Sequence, residues 1–190
     1  MLAHIVCDQG LYTAIVAETQ LARQENGTFD VQHLTSRCPL LSAVWFESLR
    51  LYNVAAVARN TEQTTVIGSK KIRAGTQVMG PFRFFHLSSR IFGHDPLSFN
   101  AERWLRNKDL ANTKGFHPFG GGKTHCPGRV IAKQEVCLFV ATVLARFELE
   151  PLSAIDSKTR KHLVPSIAEH KPALTALDPM EDLLVRVRRR

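Results

Sequence analysis

Apolar positions recur three and four residues apart along two long stretches of the chain, and this spacing predicts two amphipathic helices. In the first, Pro39–Tyr52, one face carries Leu41, Val44, Trp45, Ser48, Leu49 and Tyr52. In the second, residues 128–147, the face reads Ile131, Ala132, Val136, Phe139, Val140, Val143, Leu144 and Phe147. A shorter series of Leu11, Ile15, Val16 and Ala22 predicts a helix over residues 11–25. Between the long helices lie residues 62–68 and 72–78, which read as two short strands joined by a glycine turn. At the C-terminus, Leu184, Val185 and Val187 alternate with arginines, as in a terminal strand with one solvated face. The polar, proline-punctuated residues 152–171 read as a loop-rich stretch. The expected fold class is therefore mainly α with small β-sheets.

Composition bounds this picture without changing it. With 190 residues, 44% of them hydrophobic, a single domain with a sizeable core is expected. Cys7, Cys38, Cys126 and Cys137 are irregularly spaced, which argues against a disulfide framework. No apolar run has the length of a membrane span, and Met1 opens no signal peptide. The net charge of +8 owes part of its excess to the arginine-rich tail. Such a tail can bind nucleic acid or acidic lipid, but its alternation fits the solvated face of a strand better, so no nucleic-acid partner is expected.

The candidate chemistry sits in Phe119-Gly120-Gly121-Gly122-Lys123-Thr124-His125-Cys126-Pro127-Gly128-Arg129. One cysteine ends a glycine-rich loop and directly precedes the second long helix. A thiol there faces unpaired amide donors and the positive end of the helix dipole, a setting in which sulfur binds a metal or acts as a nucleophile. Glycines without a β-carbon let the backbone approach something flat or bulky. Gly122-Lys123-Thr124 also looks like the end of a phosphate-binding loop, but His117 stands where that motif needs its first glycine. His125-Cys126 could seed a zinc site, yet no Cys-x-x-Cys or His-x-x-x-His completes the ligands.

The loop resembles the cysteine-ligand loop of the cytochrome P450 family, Phe-x-x-Gly-x-(Arg or His)-x-Cys-x-Gly. Phe119, Gly122, Cys126 and Gly128 match, as do Ala132 and Glu135 in the helix beyond. The resemblance implies that Cys126 is the proximal thiolate ligand of heme iron, in heme b (iron protoporphyrin IX). It also implies that Phe119 packs near the cysteine and that Gly128 lets the heme lie close. Thr124 departs from the pattern, standing where Arg or His usually meets a heme propionate, so Lys123, His125 or a more distant cation must supply that charge. Two further motifs appear in the family's order. Glu47-Ser48-Leu49-Arg50 resembles its Glu-x-x-Arg helix, and Phe99-Asn100-Ala101-Glu102-Arg103-Trp104 its Pro-Glu-Arg-Phe turn, with Ala101 in place of proline. Glu47, Arg50 and Arg103 are thereby expected to form a structural triad. His86 to Asp95 resembles the stretch before that turn. Arg59 matches a position that often serves a propionate, and reads equally as a surface charge.

By the same resemblance, residues 1–9 read as the end of the family's oxygen-binding helix and residues 11–25 as the next helix. The acid–alcohol segment of that helix has no match here. Residues 1–190 are thus expected to be the C-terminal part of one P450 domain. The implied parent is a monooxygenase on the cytoplasmic face of the endoplasmic reticulum membrane, acting on a small organic or lipid substrate. A redox partner such as a flavoprotein reductase would dock on a basic face that includes Lys123, Arg129, Lys133 and Arg106. Two alternatives stand beside it: a heme-thiolate isomerase or dehydratase of an oxygenated lipid, and an inactive, non-enzymatic fragment.

Overall fold

The two long periodic stretches fold as helices with nearly the expected limits. The computed structural model describes residues 1–155, 161–167 and 176–190. Its helices are α1 (Leu2–Cys7), α2 (Gln9–Gln20), α3 (Val31–Ser36), α4 (Pro39–Tyr52), α5 (Phe82–His86), α6 (Ser89–Phe92), α7 (Glu102–Arg106) and α8 (Arg129–Arg146). Its strands are β1 (Ala56–Asn60), β2 (Thr65–Ile67), β3 (Lys70–Ile72), β4 (Gln77–Pro81), β5 (Phe147–Pro151) and β6 (Val185–Arg189). Helices supply most of the core, and among the described residues the strands form three separate two-stranded antiparallel sheets.

Local chemistry sets the helix ends. The Asp8 carboxylate accepts from the amides of Gly10 (3.1 Å) and Leu11 (3.2 Å), which starts α2 and separates it from α1. Asp30 does the same for α3 through the His33 amide, at 3.0 Å. Pro39 opens α4 at a position where a missing N–H costs nothing. The next two amides, Leu40 and Leu41, each donate to the Glu18 carboxylate of α2 at 2.8 Å. One helix thus caps another, which fixes how α2 and α4 meet. Ile5, Ile15, Leu34, Leu41 and Val44 are buried in the shared core, with Val140 and Leu144 of α8.

Three expectations need correction. Residues 11–25 are helical only to Gln20, after which a turn and an isolated bridge between Arg23 and Phe29 reverse the chain. The strand expected over residues 72–78 is split. Ile72 ends the β2–β3 hairpin, which turns at Gly68 (φ +59°), whereas Gln77 begins β4, whose partner is β1. On α8 the buried positions are Cys137, Val140, Ala141 and Leu144, while Ile131 and Phe139 stand 58% and 59% exposed. The helix carries two apolar faces, which a single periodicity does not separate.

The terminal strand pairs with β5, and Glu150 takes Arg186 (2.9 Å) and Arg188 (3.7 Å) across the pair. Within residues 152–171, the described portions (152–155 and 161–167) hold isolated bridges and no regular element. Residues 156–160 and 168–171 lie outside the described residues.

Candidate functional site

Glu47 is fully buried, and so is Arg50 one helical turn on. Residues three apart share a helix face, and here the guanidinium grips the carboxylate bidentately, Nε to Oε2 and Nη2 to Oε1, both at 2.8 Å. From α7, Arg103 Nε donates to the same carboxylate at 3.0 Å. Two donors unforeseen from the sequence complete it: the Trp104 indole and the Asn100 amide, each at 2.8 Å. Burial opposes ionisation of Glu47, but the bonds and charge of Arg50, with the Asn100 and Trp104 donors, outweigh it and hold the carboxyl below the ordinary range. The remaining guanidinium hydrogens go to main-chain carbonyls: Arg50 to His86 (3.0 Å) and Ser98 (3.3 Å), Arg103 to Phe92 and Asp95. The cluster therefore ties α4 to the ends of α5 and α6 and to the irregular chain that leads into α7.

An aromatic group stands between this cluster and the cysteine loop. Trp104 and Phe116 lie 4.8 Å apart between ring centroids, Phe92 is 5.8 Å from Trp104, and His86 is 5.3 Å from Phe116. The chain then reaches the loop, which is anchored to the end of α4 by Asn53 Nδ2 donating to the Pro118 carbonyl at 2.8 Å. Phe119 is half-buried, its ring 6.3 Å from that of Trp45.

The loop itself is shaped by Gly120 (φ +77°) and Gly122 (φ +66°), left-handed conformations that favour glycine. A single 3₁₀ turn covers Gly122–Thr124, and the Cys126 amide then donates to the Phe119 carbonyl at 3.0 Å, closing the loop. A β-carbon placed on Gly128 would stand 3.7 Å from Cys126 Sγ, so the sulfur lies beside the backbone that opens α8. All four cysteines are free thiols, and Cys126 alone is exposed. Burial pushes Cys38 and Cys137 up to about 11, and raises Cys7 as well.

The other expected site residues fall as follows. His125 and Gly122 are exposed and Gly128 half-buried, while the Thr124 side chain lies outside the described residues. Arg59 lies exposed on β1, donating to the Ala58 carbonyl at 2.8 Å. Of the expected basic face, Lys123 and Arg129 are exposed. Lys133 is instead turned inward, bonded to the Thr35 carbonyl at 2.7 Å and lying over the Phe46 ring, and Arg106 is paired with Glu102. Among the described residues no three His, Cys, Asp or Glu side chains gather as a metal cluster. No helix among the described residues is long and apolar enough to cross a membrane.

Comparisons with known proteins bear on the family and the fold. The family model described as Cytochrome P450 matches residues 1–175. The chain is 32% identical over 165 residues to the cytochrome P450 monooxygenase poxD of Penicillium oxalicum, covering 80% of this chain and 33% of that protein. It is 29% identical over 181 residues to cholesterol 7-alpha-monooxygenase of Cricetulus griseus, covering 88% of this chain and 34% of that one. Among solved structures, a zebra fish cytochrome P450 superposes with a TM-score of 0.78 at 24% identity, over 100% of this chain and 43% of its own. The cytochrome P450DA heme domain gives 0.70 at 25% identity, over 96% and 38%. The chain spans about a third of the length of the curated relatives it matches. Matched by that model over most of its length, the chain belongs to the cytochrome P450 family.

Proposed function

We propose that residues 1–190 are the C-terminal part of one heme-thiolate monooxygenase domain and that Cys126 is the axial ligand of its heme b iron. The observation that carries this reading is the placement of Cys126. It is the one exposed cysteine, it stands at the opening of α8, and its loop is closed by the Phe119 carbonyl. The two monooxygenase relatives favour oxygen insertion into an organic or lipid-like substrate over isomerisation or dehydration.

The residues present fit such a group. A single thiol suits a metal that arrives with its other ligands in a ring. Ile131, Glu135 and Phe139 follow one another at helical spacing along α8, and the exposed apolar pair gives a flat hydrophobic ring a surface to cover. Heme, when bound, supplies the activation of dioxygen. The protein's part is to hold and tune it. Amides at the start of α8 stabilise negative sulfur, Pro127 removes one competing donor, and Gly128 keeps the approach free of a side chain. His125 and Lys123 next to the loop, or Arg59 on β1, would take a propionate. Glu47, Arg50 and Arg103 would act as the structural lock beneath the loop. Lys123 and Arg129 remain as cations for an acidic redox partner such as a flavoprotein reductase. The endoplasmic reticulum membrane, cytoplasmic face, is the proposed location of the parent.

The test is the spectrum of the heme-loaded, reduced protein with carbon monoxide. A strongly red-shifted Soret band is expected, lost in Cys126→His and kept in Cys137→Ser. Persistence of the band in Cys126→His would overturn the ligand assignment.

A further inference from the structure

His86 is fully buried, yet it is not held as buried histidines usually are, by partners on both ring nitrogens. Its Nε2 accepts a hydrogen bond from the main-chain amide of His117 at 3.1 Å, and its Nδ1 is buried with no partner among the described residues. Because Nε2 accepts, the ring is neutral and the proton sits on Nδ1. Burial, with the charges of Arg50, His117 and Arg83, pushes its pKa down to about 4 and keeps the ring in that form. An unpartnered polar atom in a core is a cost. A leucine or methionine would fill the same space without it. What a histidine adds here is one acceptor, aimed at one amide.

That amide is two residues before Phe119. The His86 carbonyl accepts from Arg50 Nη1 at 3.0 Å. On the far side, the His117 carbonyl accepts from Gly120 at 3.1 Å, and the Phe119 carbonyl accepts from Cys126 at 3.0 Å. A continuous series of bonds thus runs from the Glu47 carboxylate through Arg50, His86 and His117 to the cysteine's own amide. We propose that His86 is a positioning residue for Cys126: its neutral imidazole fixes the height of the cysteine loop over the buried charge cluster by holding the His117 amide. His86 acts through the backbone and touches no reacting atom.

Two variants separate positioning from packing. His86→Leu removes the acceptor but also removes the orphan Nδ1, so the unfolding midpoint of the 190-residue chain is expected to stay close to that of the unsubstituted chain. Amide exchange in residues 113–126 is expected to quicken about tenfold, the loss of one buried hydrogen bond. His86→Gln, whose side-chain oxygen can reach the place of Nε2, is expected to restore most of the protection. Unchanged exchange in His86→Leu would overturn the proposal. So would an equal rise in the interiors of α4 and α8 that glutamine does not restore, since that marks packing alone.

The second readout rests on the heme-thiolate reading. In the heme-loaded, reduced, carbon monoxide-bound protein, His86→Leu is expected to lose the red-shifted band about tenfold faster, with glutamine close to the unsubstituted rate. Equal rates for all three would count against the proposal. If Cys126→His retains the band, the ligand assignment fails, while the exchange experiment still decides the role of His86.

Discussion

Glu47 receives five hydrogen bonds on two oxygens, from Arg50 (twice), Asn100, Arg103 and Trp104. Such a carboxylate contributes less by net attraction than by the cost of removing it, because two guanidinium groups would then be left with little access to water. Glu47→Gln keeps the shape and removes the charge. It is expected to destabilise the protein by about 3–5 kcal/mol in urea unfolding. Arg106→Ala, which breaks an i,i+4 pair whose side chains are 76% and 63% exposed, is expected to change stability by less than about 0.5 kcal/mol. Similar losses from the two variants would show that the buried cluster is not the anchor its geometry describes. The Glu-x-x-Arg motif and the distant arginine were both visible in the sequence, and the fold brings them together across 56 residues. Trp104 and Asn100 flank Arg103 within one motif, but spacing alone does not mark them as Glu47 donors, because it does not say that an indole or an amide turns the same way. His86 had still less signal, since its role depends on an amide 31 residues away with no local periodicity between them.

At the level of elements, the sequence is most legible where a pattern runs for several turns. α4 and α8 bury apolar positions over 14 and 18 residues, and their limits follow from that repeat and from Pro39. β1 escaped because Ala56-Val57-Ala58-Arg59-Asn60 has little alternation of its own and exists by pairing with β4. β5 escaped because Phe147 continues the apolar series of the helix before it. The turn into α7 shows how a departure from a family pattern is absorbed. Without the family's proline, the Asn100 side chain accepts from the Glu102 amide at 3.0 Å, while the Asn100 amide is held by Glu47. Ala101 has φ −64°, already the angle that proline imposes. Ala101→Pro is therefore expected to stabilise the protein by about 0.4–1 kcal/mol, chiefly by restricting the unfolded chain. A fall in the unfolding midpoint would mean that the turn requires the freedom alanine gives it.

For the molecule as a whole, the distribution of apolar surface on α8 separates what this chain does for its own core from what it offers to something else. Cys137, Val140, Ala141 and Leu144 face inward, while Val130, Ile131 and Phe139 are each more than half exposed. Periodicity detects that a position is apolar but carries no information on which body covers it, so both sets looked alike in the sequence. Because Ile131 and Phe139 bury little within the 190-residue chain, Ile131→Gln and Phe139→Gln are expected to change its unfolding free energy by less than about 0.5 kcal/mol each. Val140→Ala on the inward face is expected to cost about 1–3 kcal/mol, the price of lost contacts and a partial cavity. In the heme-loaded parent the order should reverse in a different observable: heme retention should weaken in the two glutamine variants and change little in Val140→Ala. Urea unfolding of the chain and heme-transfer rates to an acceptor globin from the loaded protein measure the two sides. If Phe139→Gln destabilises the chain by itself as much as Val140→Ala does, the outward face belongs to the core after all. If it does so in neither measurement, the exposed stripe is not the surface on which the heme rests.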